Sequence, residues 1–507
     1  MTTDGKQLDH ARARIAAAYD PSLFQDAGQR LVDLLGAQLA DALNASGPVV
    51  HWEDPRANVE RAGAFLTEAG PTAWDRNGLA DHFAELVQIM LAHGLRLHDP
   101  RYIGHQVPAP VPLAGLFDAV GSVTNQVMAT YEIAPWASAV EWALVEKLGR
   151  RIGWAEDTFS GLITHGGSLA NLTALLTARN VRVDGAWENG VRGEPVIVTH
   201  ADAHYSVVRA AGILGLGTGS VIPVGLDARR RMDPEQLDAT LARLRREGRP
   251  IVAAVGCACA TPIGAFDPLE EIASVCERHE VWLHVDAAHG AAACFSERYQ
   301  HLVRGLQRAD SVVWDAHKML FMPALCAFVF YKDKSHRFAT FQQNAPYLFD
   351  PSAPGLADYD SGLRTVECTK RAAGFGLWGV WALFGPQLFA DMVDVTFAAA
   401  RLLYEKLSEA EDFEVLHEPE CNILVFRHLP GSLREAPQGR ANEFQLTLRR
   451  RLVETGAFFI VSTIIDGIAA LRVTVINPFT AADHLDLLMD TLRTEGRTLL
   501  GSTKSSA

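Results

Sequence analysis

No apolar run in this 507-residue chain is long enough to span a bilayer, so the sequence predicts no transmembrane helix. Residues 1–20 carry acidic groups and no long apolar core, which argues against a secretory signal. A basic excess is also missing. The formal net charge of −14 argues against nucleic acid or an anionic membrane as partner. Seven cysteines are scattered at 257, 259, 276, 294, 326, 368 and 421, without a Cys-x-x-Cys pair. That odd count and spacing predict reduced thiols in a cytoplasmic protein and no metal centre. The glycine-rich 214–219 stretch lacks a following lysine, so it reads as a turn and not a phosphate loop.

What is present is an ordinary apolar content over a length that calls for two or three structural units. Residues 1–95 read as a helical segment, with helix-period apolar faces over 27–43 and 78–97. Residues 96–385 read as a large domain. Within it, strand-length apolar runs at 162–164, 196–198, 251–255, 281–285, 311–314 and 327–331 alternate with helical patterns. This order predicts an α/β fold, its sheet mostly parallel with right-handed crossovers. Asp233-Pro234 caps a helix to 247, and Asp267-Pro268 starts another. Residues 386–507 read as a smaller C-terminal α/β domain, with helices over 387–407 and 441–455 and strands over 422–426, 458–462 and 470–475.

Two stretches organise the chemistry. Val281-Trp-Leu-His-Val-Asp286-Ala-Ala-His289 and Asp310-Ser-Val-Val-Trp-Asp315-Ala-His317-Lys318 each run from a buried strand into polar residues. Ligands of open α/β sheets gather beyond the carboxyl ends of the strands. Asp286 and Lys318 are therefore expected at one sheet edge. A lysine and a carboxylate there point to pyridoxal phosphate: the lysine bonds the cofactor as a Schiff base, and the carboxylate keeps the pyridine nitrogen protonated. Gly166-Gly167-Ser168 opens a helix over 169–179, where free N–H groups and the helix dipole favour phosphate. Ser168 adds a hydroxyl and is a candidate N-cap. His200, Asp202 and His204, with His289, also admit a metal reading, which would make the chain a hydrolase. The polar, proline-containing stretch 342–362 reads as an active-site lid.

His-Val-Asp-Ala-Ala at 284–288, followed by Ser-Val-x-x-Asp-x-His-Lys at 311–318, resembles the group II pyridoxal-phosphate-dependent amino-acid decarboxylases. That family acts on glutamate, cysteine sulfinate, diaminobutyrate and aromatic amino acids. The resemblance runs from about residue 100 to about 478. It implies the aspartate aminotransferase-like fold (fold type I) and a homodimer with shared active sites. The family's Gly-x-Ser-x-Ala-Asn falls on 166–171, which implies that Gly166, Gly167 and Ser168 hold the cofactor phosphate. His204 matches the histidine stacked over the cofactor ring, and Thr261 the threonine beside it. Ala288, Asp315 and His317 join Asp286 and Lys318 in the implied cofactor set, with Lys318, His204 and Asp286 catalytic. On the substrate side the resemblance implies His105, Gln106 and Tyr347. It also implies Arg472, from Leu-Arg-x-x-x-x-Asn-Pro, on the substrate α-carboxylate. The family's loop tyrosine, its proton donor, falls on Gly355, so Tyr347 or Tyr359 is expected to substitute. Asp315 resembles the diaminobutyrate branch, whereas 347–349 and 359–362 resemble the glutamate and cysteine-sulfinate branch. The expected reaction is decarboxylation of a small or acidic L-amino acid to its amine. Transamination, or oxidative decarboxylation to an aldehyde, is the alternative.

Overall fold

The computed structural model describes residues 3–66, 75–341 and 358–504. The strands of those residues are β1 (Val127–Met128), β2 (Ser160–Thr164), β3 (Val196–His200), β4 (Val221–Val224), β5 (Ile251–Cys257), β6 (Leu283–Asp286), β7 (Ser311–Asp315), β8 (Ala327–Tyr331), β9 (Lys370–Arg371), β10 (Phe413–Val415), β11 (Ile423–His428), β12 (Val461–Ile465) and β13 (Ile468–Thr474).

Seven of them form the main sheet, in the order β2-β8-β7-β6-β5-β3-β4. The neighbours from β7 through β4 pair parallel, and β8 runs antiparallel to both β7 and β2. The mostly parallel α/β sheet expected from the sequence is present. The reversal at β8 follows from its short link to β7, which leaves no room for a crossover helix. Every residue of β2, β3, β6, β7 and β8 is buried, because helices cover both faces. On one face the helix Gly167–Arg182 lays Ala170, Ala174 and Ala178 against the sheet. Three alanines spaced by four residues share one stripe and let helix and strands approach closely. On the other face Pro135–Ile152 buries Val140, Leu144 and Leu148.

The helix ends show which local signals were strong. Asp233 caps Pro234–Arg246, its carboxylate accepting from Glu235 N at 2.9 Å and Gln236 N at 3.3 Å. Ser168, in contrast, is not a cap. Gly166 takes that position at φ +106°, a conformation that excludes most side chains, and Ser168 lies inside the first turn.

Four strands form the second sheet, in the order β10-β11-β13-β12, all antiparallel. Its core gathers Leu424, Phe426, Leu448, Leu471 and Leu488. Near the N-terminus, Pro21–Leu43 packs against Arg76–Ala92, where helical faces were expected. Among the described residues, no helix is long and apolar enough to cross a membrane.

Candidate active site

β6 ends on Asp286 and β7 on Asp315, so both carboxylates arrive at the same edge of the main sheet. The helix Gly167–Arg182 begins at that edge too. Between them lies a cleft of about 320 Å³. Its walls include Gln106, Gly166, Gly167, Ser168, His204, Thr261, Asp286, Ala288, Asp315, His317 and Lys318. Gln106 and Lys318, remote in sequence, are thus brought together by the fold.

The helix start is shaped for an anion. Gly167 and Ser168 lie in the first turn, where N–H groups have no partner within the helix. A Cβ at Gly167 would lie 2.6 Å from Asp315 Oδ2, so glycine there lets the carboxylate and the helix start share one space. Lys318 Nζ stands 3.4 Å from Asp315 Oδ2, and His317 Nε2 3.5 Å from the same oxygen. Burial pushes the Asp315 carboxyl pKa up, against the opposing pull of Lys318 and His317. Asp315 Oδ1 is buried without a partner, an acceptor awaiting a ligand. His317 Nδ1 lies 2.9 Å from the Cys326 carbonyl, which ties its ring to the start of β8.

Asp286 is held by a buried polar chain. Asn171 Nδ2 donates to Asp286 Oδ2 at 2.8 Å and to Ser206 Oγ at 2.9 Å. Asn171 Oδ1 in turn accepts from His284 Nε2 at 2.9 Å. The other nitrogen of His284 then accepts from Ser311 Oγ at 2.9 Å, and Trp282 Nε1 donates to that same oxygen at 2.9 Å. Burial pushes the His284 pKa down to about 4, which matches a neutral ring with one donor and one acceptor nitrogen. Asp286 Oδ1 accepts from Ala288 N at 3.2 Å. Ser206 Oγ also meets His204 Nδ1 at 2.8 Å, so the same chain orients His204. Burial lowers the His204 pKa, and the nearby Asp286 carboxylate partly offsets this.

Arg472 and His105 stand apart from the cleft-lining set. The Arg472 side chain is 6% exposed. It donates from Nε to Pro262 O at 3.1 Å, from Nη2 to Thr261 O at 2.8 Å and from Nη1 to Thr474 Oγ1 at 3.2 Å. No carboxylate pairs with it among the described residues. Burial lowers its pKa to about 10, which leaves it cationic at neutral pH. The His105 ring tilts against Phe459 at 5.7 Å. Tyr347 and Gly355 lie outside the described residues. Tyr359 is exposed and packs on Tyr131 and Trp142, not on the cleft.

The metal grouping of His200, Asp202, His204 and His289 is not assembled. His200 Nδ1 accepts from Asp202 N at 2.8 Å and its Nε2 faces Arg230 O at 3.1 Å, while Asp202 pairs with Arg230 at 2.8 Å. Neither His200 nor Asp202 lines the cleft. Two other lining residues had no assigned role from the sequence, His165, which pairs with Glu367, and Cys259, while His289 had entered only through the metal grouping. Asn171 did have one, as the last residue of the 166–171 motif.

The cleft geometry agrees with what the chain is similar to. Residues 76–429 match the model of the pyridoxal-dependent decarboxylase conserved domain. The human acidic amino acid decarboxylase GADL1 is 32% identical, over 94% of this chain and 92% of that protein. The cysteine sulfinic acid decarboxylase of Rattus norvegicus is 32% identical, over 92% of this chain and 96% of that protein. The crystal structure of mouse CSAD superposes with a TM-score of 0.84 at 30% identity, covering 94% of this chain and 98% of that one. The fold is also that of rice TDC crystallised with PLP and tryptamine, at a TM-score of 0.85 and 20% identity, over 95% of this chain and 99% of that one. By the domain match and these full-length relatives, the chain belongs to the pyridoxal-dependent decarboxylase family and is an amino-acid decarboxylase that works with pyridoxal phosphate.

Proposed function

We propose that this chain removes the α-carboxylate of a small acidic L-amino acid, and that the residues of the cleft divide that work as follows. Pyridoxal phosphate, when bound, supplies an electron sink for the pair left behind by the departing carboxylate. Lys318 would hold the cofactor through its side-chain amine. Gly166, Gly167 and Ser168 present N–H groups and a hydroxyl to its phosphate. Asp315, with its unpartnered Oδ1, sits against that helix start and within 3.4 Å of Lys318 Nζ, where it would orient the lysine. Asp286 would pair with the pyridine nitrogen and keep it protonated, and Asn171 fixes that carboxylate in place. His204, Thr261, Ala288 and His317 pack around the ring.

The observation that carries the substrate reading is Arg472. A buried guanidinium without a carboxylate partner among the described residues is costly unless a ligand completes it. Three of its five N–H groups are engaged by Thr261, Pro262 and Thr474, which hold the fork still. The two that remain suit a substrate carboxylate. Gln106, on the cleft wall, completes the proposed substrate end, while the His105 ring rests against Phe459. The acidic preference draws support from the relatives named for acidic amino acids and cysteine sulfinic acid. Carbon dioxide release across the common L-amino acids and cysteine sulfinate, with amine, aldehyde and keto acid quantified, tests this. The expected result is fastest release from an acidic substrate with amine as product. Fastest release from diaminobutyrate or an aromatic amino acid overturns the substrate reading.

We further propose units at 1–95, 96–385 and 386–507, the last two each built around one of the two larger sheets. A homodimer is proposed from the exposed apolar residues Leu116, Val120, Val123, Trp136, Leu383 and Phe384, a face of the kind that a second subunit covers. Seven free cysteines support a cytoplasmic, reducing location.

A further inference from the structure

Cys259, His289 and Cys421 are far apart in sequence and meet at the inner wall of the cleft. Each offers a ligand atom within 4.8 Å of the others, and all three are buried. The two Sγ atoms are 3.9 Å apart. A disulfide needs about 2.05 Å between sulfurs. Two thiolates on one tetrahedral zinc, each at about 2.3 Å, stand about 3.8 Å apart.

The histidine supplies the independent observation. His289 is 2% exposed. Its Nε2 meets Asn422 Oδ1 at 2.8 Å, while the Asn422 amide nitrogen donates to Val475 O at 3.4 Å and approaches Met319 Sδ at 3.3 Å. That pattern sets the carboxamide oxygen toward His289 and so the proton on Nε2. Nδ1 is left with its lone pair, buried and without a partner. A second nitrogen fixed by an outer hydrogen bond is the usual arrangement around a metal-binding histidine. Cys259 and His289 also line the open cleft, which gives an ion its way in.

We propose that Cys259, His289 and Cys421 bind a soft divalent cation of the zinc class through two thiolates and one imidazole, leaving the fourth position open to the cleft. Binding releases two thiol protons to solvent, so affinity rises with pH. Because Lys318 walls the same cleft, a bound ion restricts it and slows decarboxylation.

The test uses dialysed holoenzyme titrated with Zn²⁺, and separately with Co²⁺. About one Zn²⁺ per chain is expected to survive gel filtration. Co²⁺ is expected to give the strong visible bands of a tetrahedral, thiolate-ligated ion, beyond the cofactor's own absorption. Asn422→Ala, which keeps all three ligands, is expected to weaken zinc binding about 10–100-fold. Cys421→Ser weakens it further. Weak octahedral Co²⁺ bands in the unaltered protein overturn the proposal without reliance on any variant. Loss of two thiols on mild oxidation with no metal uptake also overturns it, by marking a disulfide pair. Unchanged turnover at full zinc occupancy overturns the placement of the open position.

Discussion

The two ends of the cleft are built in different ways. At the end proposed for the cofactor, Gly166, Gly167, Ser168, Asp286, Asp315 and Lys318 sit on strand ends, on the short link after β7 or at one helix start, all of one sheet. At the end proposed for the substrate, Gln106 arrives from the loop after Arg101, and Arg472 stands behind the cleft wall from the second sheet, bonded to Thr261 O. The first end is made by one layer of structure, the second by two segments meeting. Chemistry that every member of a family shares suits the first kind of construction. Choice among substrates suits the second, because one segment can change without disturbing the sheet.

That contrast predicts a gradient of effects. Lys318→Ala is expected to reduce decarboxylation to background and to remove the visible absorbance of lysine-bound cofactor, read by spectrum and carbon dioxide release. Retention of both would break the contrast at its root. Asp286→Asn comes next. With the Ser168 end intact the cofactor stays bound, while turnover falls about 10²–10³-fold, the scale of losing one electrostatic support in the transition state. Equal turnover with bound cofactor would make Asp286 a structural residue only.

Arg472→Lys tests the other end. Lysine cannot reproduce a fork that holds two carbonyls and a hydroxyl while facing a carboxylate. Charge-assisted bonds of this kind contribute about 1.5–3 kcal/mol, so kcat/KM is expected to fall roughly 10–100-fold, mainly through KM. A lower melting temperature with unchanged KM would instead assign Arg472 to joining the two sheets.

The same contrast explains what the sequence could and could not disclose. Asp286, Lys318 and the 166–168 turn were legible because each sits where a buried apolar run stops, a local signal. β8 was legible as a strand but not as antiparallel, since direction is decided by the short link from β7. Asn171 was within reach through its motif, yet its bonds to Asp286, Ser206 and His284 depend on two other elements, β6 and the helix Ser206–Ile213. His165 and Cys259 carry no periodic or spaced pattern, and His289 was read only with a metal grouping that the fold does not assemble. They become cleft residues only when β2, β5 and β6 join one sheet. Ser168 was misread as a cap because the backbone at Gly166 already makes the turn.

The smallest expected effect separates two neighbours. Asp99 grips Arg101 at 2.6 Å, and Arg101 Nη2 reaches back to Ala45 O at 3.0 Å, which anchors the start of this segment. Tyr102 and Ile103 are then buried, and Ile103 N donates to Phe459 O at 3.1 Å. Gly104 follows, where a Cβ would lie 2.6 Å from the Phe459 ring. With the backbone pinned this way, the next two side chains take different directions: Gln106 lines the cleft, and the His105 ring rests on Phe459. One neutral hydrogen bond is worth about 0.5–1.5 kcal/mol, so Gln106→Ala should raise KM roughly 2–12-fold with little change in kcat. His105→Ala should change KM less than about twofold, within the ordinary range for an exposed substitution. Steady-state kinetics on both variants decides it. A larger KM effect at His105 would mean that substrate draws that ring off Phe459 and into the cleft, and the substrate end would then form only around its ligand.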